Sequence, residues 1–302
     1  MNAKDHTLLE LFARSRNKDF SARLKEFHEF IETLILLTDK LHDAKVSAEY
    51  WKQHLEILAV KFTLHSSSLA LLFKGTPIKN IASGKPITYP DIGSIFLLSR
   101  AHLESYLMFY YLNVQPKTFE EGEFRYLLYE VSGLAHRQQN DAVMPEHIVK
   151  KEKEKKEMDE LLEKIKQNKF FQNLPIQKQN HLLETKPARL IGWEKLIASS
   201  HLHTEFVLGL WKLQSNYAHS EMVSAMQMKG YAYNRNQVDE VLFFALERSI
   251  TLVCVMIKDL VKMFKTAEIT YIAFPLPLTI KIDFWCGIGT GQAKNKMKAT
   301  PL

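Results

Sequence analysis

Two stretches hold side chains whose types and spacing suit acid–base and phosphate chemistry. In Ser99-Arg100-Ala101-His102-Leu103-Glu104-Ser105-Tyr106, Arg100 and Glu104 stand one helical turn apart within an otherwise apolar run. A charge in such surroundings is costly unless it is paired. The pair can be a buried ion pair that fixes helix register. Alternatively, Arg100 presents its planar donors to a phosphate while Glu104 orients it. In Leu213-Gln214-Ser215-Asn216-Tyr217-Ala218-His219-Ser220-Glu221, an amphipathic pattern gives way to small polar residues around one histidine. His219 can act as general acid or base near neutral pH, with Ser215 and Tyr217 as neighbouring donors. The alternative is that these residues close a helix end by bonding its loose carbonyls.

Other combinations carry less. His201, His203 and Glu205 are donors that a metal accepts, but isolated His/Glu pairs one turn apart are common on solvated helices, and no metal or cofactor is expected. Gly287, Gly289 and Gly291 follow a strand-like run without the Lys-Ser/Thr pair of a phosphate loop. Spacing identifies no Ser-His-Asp triad and no pair of catalytic carboxylates.

The elements that must hold these residues are mostly helices. Phe20, Leu24, Phe27, Ile31, Leu34 and Leu41 mark one helical face. Ser47 is placed to cap the next helix, which carries Tyr50, Leu55, Leu58, Phe62, Leu69 and Leu72 and ends at Gly75. Pro77, Gly84, Pro86 and Pro90 predict a loop. Asp91 caps a helix apolar on most sides, which bears Arg100 and Glu104 and breaks at Pro116. Thr118 with Glu121 makes a capping box for the helix of Phe124, Leu127, Leu128, Val131 and Leu134. Residues 145–169 read as a densely charged helix with a thin apolar stripe, a solvated helix that protrudes from or bridges the bundle in preference to a nucleic-acid arm. A less ordered stretch with Pro175 and Pro187 is expected next, then a helix over about 200–215, and after a polar break at Tyr231–Asn236 a long one capped by Asn236. Alternation at Ile280, Ile282 and Phe284, with Ile269–Phe274 before it, predicts a small C-terminal β-hairpin and then a frayed lysine tail.

The fold-class expectation is therefore all-α, a multi-helix bundle with a small C-terminal β-hairpin. It divides into N-terminal helices over 1–89, a helical core over 90–265 with a charged insertion at about 145–170, and an extension over 266–302. With 302 residues and 46% hydrophobic content, the chain can bury a large core. The formal charge of +6 suits a nucleic-acid or acidic partner and equally suits plain solubility. Met1-Asn2-Ala3-Lys4-Asp5-His6 lacks the apolar stretch of a targeting signal, and Ile250–Phe264 is too short and too charged to span a bilayer. The two cysteines, Cys254 and Cys286, form no CxxC pair, so a zinc ribbon or disulfide framework is not expected. A cytoplasmic protein without membrane contact is the expectation.

Arg100 and Glu104 on an apolar helix, Arg125 in the next helix, and Ser215-Asn216-Tyr217-Ala218-His219 near a helix end resemble a group of bacterial helical proteins distantly similar to the HEPN superfamily. The resemblance covers roughly residues 90–220. It implies a helical bundle, a homodimer, and one of two activities. One is a metal-independent ribonuclease of a toxin–antitoxin or antiphage system, acting on RNA and held by a cognate antitoxin. The other is a non-catalytic module that binds a nucleotide or a defence-system protein. In the ribonuclease reading His219 moves the proton, Arg100 stabilises the phosphorane, Glu104 holds Arg100, and Arg125, Ser215 and Tyr217 position substrate. Ribonuclease members carry a polar residue after an arginine and a histidine four to six residues beyond it. Here only Arg23-Leu24-Lys25-Glu26-Phe27-His28 has that spacing, without the polar residue and inside an amphipathic helix. Arg100 and His219 would have to meet through the fold.

Overall fold

The computed structural model describes residues 19–79, 83–141, 143–218 and 221–292. His219, the first residues of the chain and the lysine tail lie outside them. In chain order the elements are α1 (Phe20–Asp43), α2 (Leu55–Leu72), β1 (Thr76–Lys79), β2 (Pro86–Tyr89), α3 (Ile92–Phe109), α4 (Phe119–Gln138), α5 (Pro145–Gln167), α6 (Lys169–Gln172), α7 (Ile176–Thr185), α8 (Trp193–Ser199), α9 (Thr204–Ala218), α10 (Met222–Tyr233), α11 (Arg235–Met263), α12 (Lys265–Ile272) and α13 (Leu276–Gly289). The fold is all-α, with one two-stranded antiparallel sheet among the described residues.

Contacts group the chain into two compact units, each built from separated stretches. The first comprises residues 1–47, 56–108 and 197–302, the second 48–55 and 109–196. In the first unit α11 is the central helix. Val253, Val255, Met256, Ile257 and Leu260 are fully buried in it, and α1, α12 and α13 pack against it. Arg23 of α1 is buried there as a structural residue, ion-paired with Glu26 at 2.6 Å and stacked 4.7 Å over the Trp285 ring. That accounts for its place in an amphipathic helix.

The second unit packs α5 along α4, and its core holds Trp51, Phe124, Leu127, Leu128, Val131, Ile165, Phe171 and Leu182. The charged helix therefore does not protrude: it buries its stripe, Met158, Leu161 and Leu162, against that core, while Arg137 of α4 pairs with Glu154 at 2.9 Å. Trp51 explains why the helix after α1 begins at Leu55 and not at a Ser47 cap. The chain first makes a 3-10 turn at Tyr50–Lys52, which drives the indole into this core. Gly122 makes room for it, since a Cβ there would lie 2.6 Å from the indole ring. Gly122→Val is expected to destabilise this unit by about 2 kcal/mol through overpacking, although valine forms helix slightly better than glycine. A shift in the urea midpoint checks it; an unchanged midpoint would mean the indole moves aside freely.

The C-terminal β-hairpin is corrected. Residues 265–272 and 276–289 are helical, as α12 and α13. The alternation spans only five residues, too few to separate a period of 2 from one of 3.6. The helical stripe is Ile282, Trp285 and Gly289, and the prolines that read as a turn sit at the start of α13, where the missing N–H is harmless. The hairpin instead lies in the stretch expected to be a loop, pairing Thr76 with Tyr89 and Lys79 with Pro86. Both strands of a two-stranded ribbon are edges, so Pro77 and Pro86 are tolerated. The polar break before α11 also shrinks: α10 runs to Tyr233, and Asn234, not Asn236, caps α11 by accepting from the Gln237 N–H at 3.2 Å.

Among the described residues one helical stretch, 50–72, is long and apolar enough to cross a membrane, a test that core helices also pass. Leu58, Phe62, Ser66 and Leu69 of that stretch form a buried face.

Candidate functional site at the seam of α3 and α9

The apolar helix and the polar helix end meet. Phe96 of α3 meets Tyr217 of α9 edge-on at 4.8 Å, and Glu104, two turns further along α3, meets Trp211, nearly two turns back along α9. The two helices therefore run antiparallel, and Arg100, Glu104, Trp211 and Tyr217 share one seam.

Glu104 is the hub. Its Oε1 accepts from Arg100 Nε at 2.9 Å and from Trp211 Nε1 at 3.0 Å. The guanidinium lies 5.3 Å from the centre of the indole ring, a cation–π distance. Arg100 and Glu104 are 18% and 25% exposed, so the pair is largely desolvated and its charges are matched locally. Ser215 turns its hydroxyl back to the Trp211 carbonyl at 3.0 Å, the bond typical of serine inside a helix. Tyr217 is buried and donates to Gln227 Oε1 at 2.9 Å. Burial, and then the Tyr231 hydroxyl beside it, push its phenol above the ordinary range.

Arg125 belongs to the second unit. It is 7% exposed, donates to the Tyr111 carbonyl at 2.7 Å and to Gln115 Oε1 at 2.8 Å, pairs with Glu121, and lies over the Tyr111 ring. Tyr111 sits in a π-helical turn, Tyr110–Val114, that ends α3. Such a turn shifts carbonyls off the regular ladder, and Arg125 takes up one of them. His219 lies outside the described residues.

Two further polar clusters in the first unit were not among the candidate sites. Asp259 of α11 is buried and accepts from the Tyr106 hydroxyl at 2.8 Å, while His201 Nε2 lies 2.8 Å from that hydroxyl and 3.4 Å from the carboxylate. The available signal was an aspartate inside an apolar run. His102 is fully buried, stacked 4.1 Å from the Phe62 ring, with Nε2 2.8 Å from Ser66 Oγ. Two of the glycines near the end of α13 serve packing: a Cβ on Gly291, at φ +72°, would strike the His203 ring at 2.7 Å, and one on Gly289 would lie 3.0 Å from Val255. Among the described residues no group of three or more His, Cys, Asp or Glu side chains is arranged to hold a metal ion.

Compared with known proteins, the chain matches no family model, no curated protein and no solved structure.

Proposed function

We propose that this chain is a non-catalytic helical binding module, in which Arg100 and Glu104 lock the register of α3 against α9. The neutralisation of Arg100 carries the reading. An arginine that stabilises a phosphorane must offer its charge and donors to the reacting phosphate. Here Glu104 accepts from its Nε, and the Trp211 indole both covers the guanidinium and bonds the same carboxylate oxygen. The three groups tie two helices together, the use of a partly buried ion pair best attested in other folds.

One observation favours a HEPN-like ribonuclease instead: the two polar stretches on α3 and α9 share a seam. In that reading Glu104 is the holder of Arg100, and His219 supplies the proton transfer. Total RNA incubated without added metal separates the two. The binding-module reading expects the RNA to survive both the wild type and His219→Ala. Cleavage by the wild type that disappears in His219→Ala would overturn it and install the ribonuclease.

A further inference from the structure

On the inner side of the α3–α9 seam lies a cavity of about 20 Å³, closed below by α11. Its walls are mainly apolar, among them Leu103, Val207, Leu210 and Leu252. Six polar residues also line it; Ser249 and Thr251 donate back to the carbonyls of Ala245 and Arg248 in their own helix, which leaves Ser99 and His102 from α3, Gln214 from α9 and Arg248 from α11. Each of these four has a buried polar atom without a hydrogen-bond partner, namely Ser99 Oγ, His102 Nδ1, Gln214 Oε1 and Arg248 Nε. Ser99, His102 and Gln214 are themselves 6%, 0% and 2% exposed. Buried polar groups in native proteins are nearly always satisfied, so four such atoms around one cavity point to a bound group.

Their chemistry selects the group. Ser66 Oγ donates to the Phe62 carbonyl at 2.9 Å, so towards His102 it can only accept. That places the ring proton on Nε2 and leaves His102 Nδ1 as a bare acceptor. Gln214 Oε1 is a second acceptor; Arg248 Nε–H and the Ser99 hydroxyl are donors. An anion would fit the arginine but would meet two lone pairs. A cation would fit the acceptors but would sit beside the guanidinium, which lies over the Phe206 ring. A neutral group with two donors and two acceptors satisfies all four atoms. A volume of about 20 Å³ is enough to hold a water, which offers two donors and two acceptors.

We propose that this cavity is a built site for a single water molecule, which joins α3, α9 and α11 through Ser99, His102, Gln214 and Arg248. The site is independent of the function proposed above. A crystal structure at a resolution that orders internal waters tests it. The wild type is expected to show one peak within hydrogen-bond distance of at least three of the four atoms. Gln214→Met, which removes an acceptor and fills the space, loses that peak, and ¹⁷O relaxation dispersion counts one fewer long-lived water. If Gln214→Met does not fold, Ser99→Ala serves instead: the peak keeps its place and loses one partner. A cavity without density while other interior waters are ordered would overturn the proposal. So would density of a chloride ion, or Ser99 and Gln214 bonded to each other.

Discussion

Arg125→Ala is expected to destabilise the second unit by about 3 kcal/mol, the lower end of the cost of breaking a buried ion pair from one side. The truncation removes a donor from three acceptors at once. Glu121 is left as a largely buried carboxylate, 14% exposed, without its partner. The Tyr111 carbonyl, released from the regular ladder by the π-helical turn, loses its donor, and Gln115 Oε1 loses the same one. The space under the Tyr111 ring also opens. Arg125→Lys should recover only part of the loss, because a point charge cannot span two side-chain acceptors and a carbonyl. The urea midpoint, with amide exchange of peptides from 109–138, measures the effect. A substrate-positioning role predicts the opposite pattern, with stability unmoved and RNA affinity reduced; that outcome would move Arg125 from the core of its unit into a binding site.

How much of this was legible in the sequence depended on the range of the interaction. Local signals read well. Asp91 accepts from the Ser94 N–H at 3.0 Å, and Thr118 from that of Glu121 at 3.2 Å, as their spacing before apolar runs implied. Gly75 ends α2 with φ +87°. Even the pairing of Arg100 with Glu104 followed from their separation by one turn. What failed locally was a stretch too short to carry a period, which made a hairpin of α13.

Convergence between remote segments was not readable. Trp211 looked like one more apolar residue of an amphipathic helix, yet it completes the Glu104 cluster from 107 residues away. Asp259 reaches Tyr106 across 153 residues, and nothing in the spacing names that partner. His102 stood in plain view between Arg100 and Glu104. Its character is set by Ser66 and Phe62 on a different helix, so the histidine singled out by sequence was the one at a helix end.

That buried histidine should make the first unit acid-sensitive. His102 is fully enclosed, and burial, with a smaller contribution from His65, pushes its imidazole down to about 3. In the unfolded chain it titrates near 6.5. Between those values the unfolded state binds one proton more than the folded state, so stability rises with pH across this window. The contribution is complete above about pH 6.5 and is lost as the pH falls towards 3. The slope is about 1.4 kcal/mol per pH unit, which makes the loss at pH 5 about 2 kcal/mol relative to neutral pH. Other groups titrate too, including His65, whose imidazole is also lowered by burial. The comparison must therefore be with His102→Gln, which retains an amide donor for Ser66 and cannot be protonated. Urea unfolding at pH 7.5 and pH 5.0, read through amide exchange of α2 and α3, should show the wild type losing about 2 kcal/mol more than the variant. Parallel losses in the two proteins would mean that the ring accepts its proton in the folded state. His102 Nδ1 would then be open to solvent, and the polar cavity it lines would be a surface cleft.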